Sequence, residues 1–133
     1  MVELKKGDKI RTKGLGGVVD HYGIFVGDLS GGGPWVMHNN KPRGVQRITL
    51  AAFLNGNQPV LRRVTDDPAA QEAIVRRALA MEGWSYDPVF FNCEDFANYA
   101  QIGVAYSGQV FGWLLGAIAV LMAIRPFIER KSR

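Results

Sequence analysis

The chain has 133 residues, 47% of them hydrophobic and 21% charged, which is one domain's worth of sequence with enough apolar content to bury a core. Its 16 Lys and Arg against 12 Asp and Glu leave a net charge of +4, a balance too weak to argue for a nucleic-acid partner. One cysteine excludes an internal disulfide framework and any Cys-rich zinc site, and two histidines confine imidazole chemistry to His21 and His38.

Residues 1–20 carry five basic side chains (Lys5, Lys6, Lys9, Arg11 and Lys13) and no apolar run, which does not fit a secretory signal peptide. Residues 9–12 are expected to form a short edge strand. His21-Tyr22-Gly23-Ile24-Phe25-Val26 is rich in β-branched and aromatic residues and runs into the turn pair Gly27-Asp28, so it is predicted to be a strand. The glycine-rich stretch 29–34 is a loop. Trp35-Val36-Met37-His38, closed by Asn39-Asn40, then completes a hairpin. Residues 45–50 and 60–64 read as third and fourth strands, with a turn over 51–57. Asp66-Asp67-Pro68 supplies an acidic cap and a first-turn proline. Ile74, Ala78 and Met81 follow at helical spacing, and Gly83 ends the pattern. Residues 86–91 connect to a second helix, capped by Asn92 and starting near Cys93. Phe96, Ala97, Ala100 and Val104 share a face with Cys93.

No charged side chain occurs between Phe96 and Ile124. Residues 102–124 are long enough to span a membrane at about 1.5 Å per residue. Their densest apolar part is 110–124, and Arg125, Arg130, Lys131 and Arg133 follow. The expected organisation is a folded domain over 1–106 and a hydrophobic membrane segment with a basic tail over 107–133. A buried core helix is the alternative. The basic end favours a cytoplasmic C-terminus, and the absence of a signal pattern favours a cytoplasmic folded domain. The two preferences agree only if the segment re-enters or lies in the interface.

Several features carry less. Gly14-Leu15-Gly16-Gly17 mimics a phosphate loop but lacks the Lys-Ser/Thr ending and the helix after it, so it reads as a flexible loop. Arg62-Arg63 and Arg76-Arg77 read as solvated faces open to anionic lipid. Trp35, Trp84 and Trp113 read as core or interface packing.

A thiol is a nucleophile only as the thiolate, and an ordinary cysteine has a pKa of about 8.5. Cys93 has two sources of help. A helix N-terminus favours an anion, and an imidazole can take the thiol proton and later return it to a leaving group. On a strand, His21, Gly23 and Phe25 share one face, so Gly23 leaves open space beside the imidazole for a reacting group, or else marks a tight approach of sheet and helix. His38, on the neighbouring strand, can orient His21 by accepting its other N–H. The residues leave other readings open. A lone cysteine also serves as a small buried hydrophobe, a strand histidine as a structural residue, and two histidines with a cysteine as an open zinc site.

His21-Tyr22-Gly23-Ile24-Phe25-Val26-Gly27-Asp28 resembles the histidine block of the lecithin:retinol acyltransferase family, and Asn92-Cys93-Glu94-Asp95-Phe96 resembles its Asn-Cys-Glu-His-Phe block. Gly7-Asp8, Ala97-Asn98-Tyr99, Ser107-Gly108-Gln109-Val110 and the hydrophobic tail are similar to the H-Ras-like suppressor group of phospholipase/acyltransferases within it. The resemblance implies an α+β fold of the permuted NlpC/P60, papain-like kind, an antiparallel sheet packed on helices with the hydrophobic helix at its C-terminus. It implies Cys93 as nucleophile, His21 as general base and His38 as the orienting third member, with no cofactor and no metal. The loop between the histidines is longer than the family pattern. Asp95 replaces the family's histidine and is expected to alter surface or substrate contacts.

The activity implied is transfer of a fatty acyl group from a phospholipid through a Cys93 thioester to water, an amine or an alcohol, by a membrane-associated enzyme. The partners implied are a phospholipid donor and the bilayer, not nucleic acid; the oligomeric state is left open. The rivals are an NlpC/P60-type cysteine peptidase or amidase and a non-enzymatic membrane-bound interaction domain.

Overall fold

In a computed structural model of the protein, residues 3–14 and 19–103 are described. They form β1 (Lys9–Gly14), β2 (Val19–Gly27), β3 (Trp35–Asn40), β4 (Gly44–Thr49), α1 (Leu50–Leu54), β5 (Val60–Arg62), α2 (Pro68–Ala80) and α3 (Cys93–Ile102). The strands make one sheet in the order β4-β3-β2-β1-β5, with every neighbouring pair antiparallel. The class is α+β, as expected.

The first strand differs from its expected position. β1 is not an edge strand: it pairs with β2 on one side and with β5 on the other, Lys9 opposite Arg62 and Arg11 opposite Val60. Its alternating charges suggest an edge because Lys9, Arg11 and Lys13 share one side, while Ile10 and Thr12 are buried on the other. β3 also runs two residues further than its turn-like asparagines suggest. Asn39 is fully buried, and its amide donates to the Phe91 carbonyl at 2.8 Å and the Asn92 carbonyl at 3.3 Å. The strand is therefore tied to the entry of α3. Leu50 leaves β4 because Thr49 Oγ1 accepts from Ala52 N at 3.2 Å and caps α1. The expected turn is thus partly helical. α2 starts as predicted, with Asp67 accepting from Ala70 N at 3.3 Å.

The two faces of the sheet are covered differently. Ile24, Val26, Met37 and Val45 pack with Ile74, Val75, Ala78 and Met81 of the α2 region and Phe96, Ala97 and Ala100 of α3. Phe96 is the largest fully buried side chain here, and its burial contributes about 2–3 kcal/mol. On the opposite face Ile10, Val36 and Phe53 of α1 form a smaller core.

Two of the arginines expected on solvated faces are structural. Arg63 donates through Nε and Nη2 to the two carboxylate oxygens of fully buried Asp8, at 2.8 Å each. Arg77 donates to the carbonyls of Ala100 and Gln101 at the end of α3, at 2.8 and 3.1 Å. The doublets looked solvated because nothing nearby in sequence reveals these distant acceptors. Among the described residues no helix is long and apolar enough to cross a membrane. The segment 107–133, Val104 and Trp113, and most of the glycine loop before β2, lie outside the described residues.

Candidate active site

Cys93 is the first residue of α3, and its position is set by the capping of that helix. Asn92 Oδ1 accepts from Glu94 N at 3.0 Å and Asp95 N at 2.9 Å, while Asp95 Oδ2 accepts from Asn92 N at 3.2 Å. This reciprocal pair is a capping box. Asp95 is therefore not a surface contact. It is 4% exposed and points back to the helix start because a third-position side chain can reach the cap. Burial pushes the Asp95 carboxyl above its ordinary value, against the Asn92 N–H that favours the charged form. Burial likewise pushes the Cys93 thiol up, while the backbone N–H groups of Tyr22, Glu94 and Cys93 itself pull it down.

The histidines face the other side of the sheet. Gly23 lies opposite His38, which puts His21 on the diagonal of the same face. His21 Nε2 is 2.7 Å from His38 Nδ1, and the rings meet edge to face at 5.0 Å and 78°. The Phe53 ring of α1 packs against His21 at 5.2 Å and His38 at 6.0 Å. No open space lies over Gly23, contrary to one of the two expectations. A Cβ there would come within 2.6 Å of Val36 Cγ1 and 2.9 Å of Phe53 Cε2. Gly23 instead admits the helix that supports both imidazoles. Gly23→Ala is expected to destabilise the fold by about 1–3 kcal/mol and to disturb the His21 ring. Urea unfolding and the His21 ring resonances measure the two effects.

Gln46 on β4 reaches His38 from behind, its amide nitrogen 3.1 Å from Nε2. A neutral imidazole has one donor and one acceptor nitrogen, so the proton positions of the three side chains are linked. With the amide nitrogen donating, His38 must donate from Nδ1 to His21 Nε2, and His21 then carries its own proton on Nδ1. With the amide turned over, Gln46 Oε1 accepts from His38 Nε2, His38 Nδ1 accepts from His21 Nε2, and His21 Nδ1 holds a lone pair. Burial lowers both imidazoles, and the neighbouring His21 adds to the shift of His38, which falls from 6.5 to about 4. Burial thus disfavours the charged form of both the Cys93 thiol and the His21 imidazole.

A cleft of about 580 Å³ opens where β2, β3 and the start of α3 converge. His21 and Cys93 both line it, with Val19, Asp20, Asn39, Asn40, Lys41 and Tyr86. His38 does not line it and stands behind His21. The fold therefore brings His21 and Cys93 to one cavity and His38 to His21. Sequence reasoning passed over Gln46, Phe53 and Tyr86. Burial raises the Tyr86 phenol, with Cys93 the next contributor, and Lys41 Nζ lies 5.3 Å from its ring centre. The segment carrying Tyr86 is docked on β4, where Val45 N donates to Trp84 O at 2.9 Å. Gly44, at φ 78°, makes this approach feasible: a Cβ would overlap the Trp84 carbonyl. Among the described residues no group of three His, Cys, Asp or Glu side chains is placed to hold a metal ion.

No curated protein matches the chain. The family model described as lecithin retinol acyltransferase matches residues 2–106, a span that holds the sheet, the three helices of the described residues and the cleft. With both sequence blocks lying inside that span, the chain belongs to the lecithin retinol acyltransferase family.

Proposed function

We propose that the protein is a membrane-associated thiol acyltransferase and phospholipase A, of the H-Ras-like suppressor type, with Cys93 as nucleophile, His21 as general base and His38 as the residue that orients it. The observation that carries this reading is the common cleft of Cys93 and His21, with His38 Nδ1 2.7 Å from His21 Nε2. His21 takes the thiol proton as sulfur attacks the ester carbonyl. The ester C–O bond then breaks, the proton passes to the departing lysophospholipid, and the acyl group stays on sulfur as a thioester. Water, an amine or an alcohol attacks that thioester and regenerates the thiol. Of the two proton arrangements, the one with Gln46 Oε1 accepting from His38 leaves His21 Nδ1 free to act as the base.

A lipid substrate is supported by the cleft's surroundings. Val19 on its rim is half exposed, and Phe90, four residues beyond Tyr86, is 81% exposed beside half-exposed Val89. This apolar tip has a fixed shape, because the Asp87 carboxylate accepts from the N–H groups of Val89 and Phe90 at 2.9 and 2.8 Å. An exposed apolar tip on the segment that carries Tyr86, whose ring lies under Lys41 Nζ, suits a bilayer surface. Residues 107–133 supply the membrane anchor in this reading, with the folded domain on the cytoplasmic side. Phe90→Asp is expected to slow turnover on phosphatidylcholine vesicles about ten-fold, and to slow it less on a short-chain soluble ester. Comparing the two rates tests the contact.

The direct test is incubation of the full chain with mixed phospholipids, followed by intact-mass analysis. An acyl adduct on Cys93 together with released lysophospholipid supports the reading. Cleavage of peptides without lipid turnover favours the peptidase. Neither activity, with Cys93→Ala identical to wild type, leaves the non-enzymatic interaction domain.

A further inference from the structure

A second cleft, of about 290 Å³, lies between α3 and the β1–β5 half of the sheet. Lys9, Arg11, Arg62, Tyr22 and Glu94 line it. Its lining residues directly follow those of the first cleft in sequence at two places: His21 and Cys93 line the first, Tyr22 and Glu94 the second. Strand register gathers the cations, since Lys9 lies opposite Arg62 on β5 and Arg11 lies opposite Tyr22 on β2. Three cations thus share a small cavity with one carboxylate, Glu94.

The surrounding partners offset only part of that excess: Tyr22 lies against both Lys9, whose Nζ is 5.4 Å from its ring centre, and Arg11, which hydrogen-bonds to its side chain. Lys9 Nζ donates to Asn98 Oδ1, a neutral acceptor, at 2.9 Å. Arg11 lies 3.7 Å from Asp20, which bonds more closely to Lys13 at 2.7 Å. Burial and the adjacent Arg62 push the Lys9 ammonium below its ordinary value, with Arg11 adding to the effect and Glu94 opposing it. Cations crowded into a partly desolvated cavity repel one another, and an oxyanion among them relieves the strain while accepting charge-assisted hydrogen bonds. Arginine forks with a nearby phenol and ammonium suit a phosphate oxygen set.

We propose that this cleft binds a phosphate group, namely the phosphodiester of the glycerophospholipid whose acyl ester reaches Cys93. The proposal rests on the phospholipid reading of the neighbouring thiol and adds a headgroup site to it. The phosphate lies against Arg62, Lys9 and Arg11, with the Tyr22 hydroxyl at its side. Discrimination between a phospholipid and a neutral ester then comes from this cavity, not from the thiol.

The test has a binding arm and a kinetic arm, both on the full chain in neutral detergent micelles. In the first, glycerophosphocholine and inorganic phosphate are titrated separately while backbone amide resonances are followed. Saturable shifts confined to β1, Tyr22 and β5 with glycerophosphocholine support the site. Shifts elsewhere, none at all, or shifts with inorganic phosphate alone overturn it. In the second arm, kcat/KM for dihexanoyl-phosphatidylcholine is divided by kcat/KM for p-nitrophenyl hexanoate. Arg62→Gln and Lys9→Gln are each expected to lower this ratio about ten-fold. A ratio does not depend on the folded fraction of the variant. Equal losses on the two esters overturn the proposal while leaving the thiol chemistry standing. A protein that turns over neither ester sinks the phospholipid reading, and the binding arm still decides the site.

Discussion

Cys93→Ala is expected to abolish the acyl adduct and to lower phospholipid turnover by roughly four to six orders of magnitude. The size of the loss follows from the proposed mechanism: without sulfur there is no covalent intermediate, and His21 is left with only water to activate. Cys93→Ser should fall nearly as far, because a neutral imidazole lowered by burial is too weak a base for a hydroxyl far less acidic than a thiol. His21→Ala should behave differently. The sulfur is still present, so an adduct forms slowly and its rate rises with pH as the thiol ionises unaided. Intact-mass time courses at several pH values separate the three variants. Wild-type adduct kinetics in His21→Ala would remove His21 from the mechanism.

Acidification from about pH 7 to about pH 4 is expected to cost the fold roughly 3 kcal/mol through His38 alone. In the folded protein burial, reinforced by His21, brings this imidazole from 6.5 down to about 4. Between those values the unfolded chain binds a proton that the folded chain does not. Stability is therefore fully present above pH 6.5, declines as the pH falls through the window, and levels off below about 4. His21 is lowered too and adds to the decline, whereas the raised Asp95 carboxyl acts in the opposite sense. His38→Asn removes the titrating group. Urea unfolding across the window should show wild type losing about 3 kcal/mol more than the variant. Parallel curves would mean that His38 does not titrate in this range.

Local chemistry made much of the framework legible. The hairpin bearing both histidines, the Asp67 cap of α2 and the Asn92 cap of α3 are all set by residues within a few positions of one another. The two blocks around His21 and Cys93 made the family legible as well. What could not be read depended on distant partners. The interior place of β1 is fixed by β5, some 50 residues onward. The occupant of the space over Gly23 is Phe53, from a helix whose single turn left little periodicity. Gln46 looked like an ordinary polar strand residue until pairing set it opposite His38. Asp95 was misjudged for a nearer reason: its departure from the family pattern drew attention outward, while its spacing from Asn92 already fitted a capping box.

Adjacent residues of β2 serve opposite sides of the sheet. His21 contributes its ring to the face held by Phe53, and the N–H of Tyr22 reaches the sulfur at the start of α3. A single peptide unit therefore sets the spacing between the proposed base and the proposed nucleophile. One residue added or deleted between Val19 and Gly23 would turn the imidazole toward the wrong side, and lengthening a neighbouring loop could not restore it. Across homologous chains, gaps should consequently gather in the stretch 28–34 and be absent from 19–23.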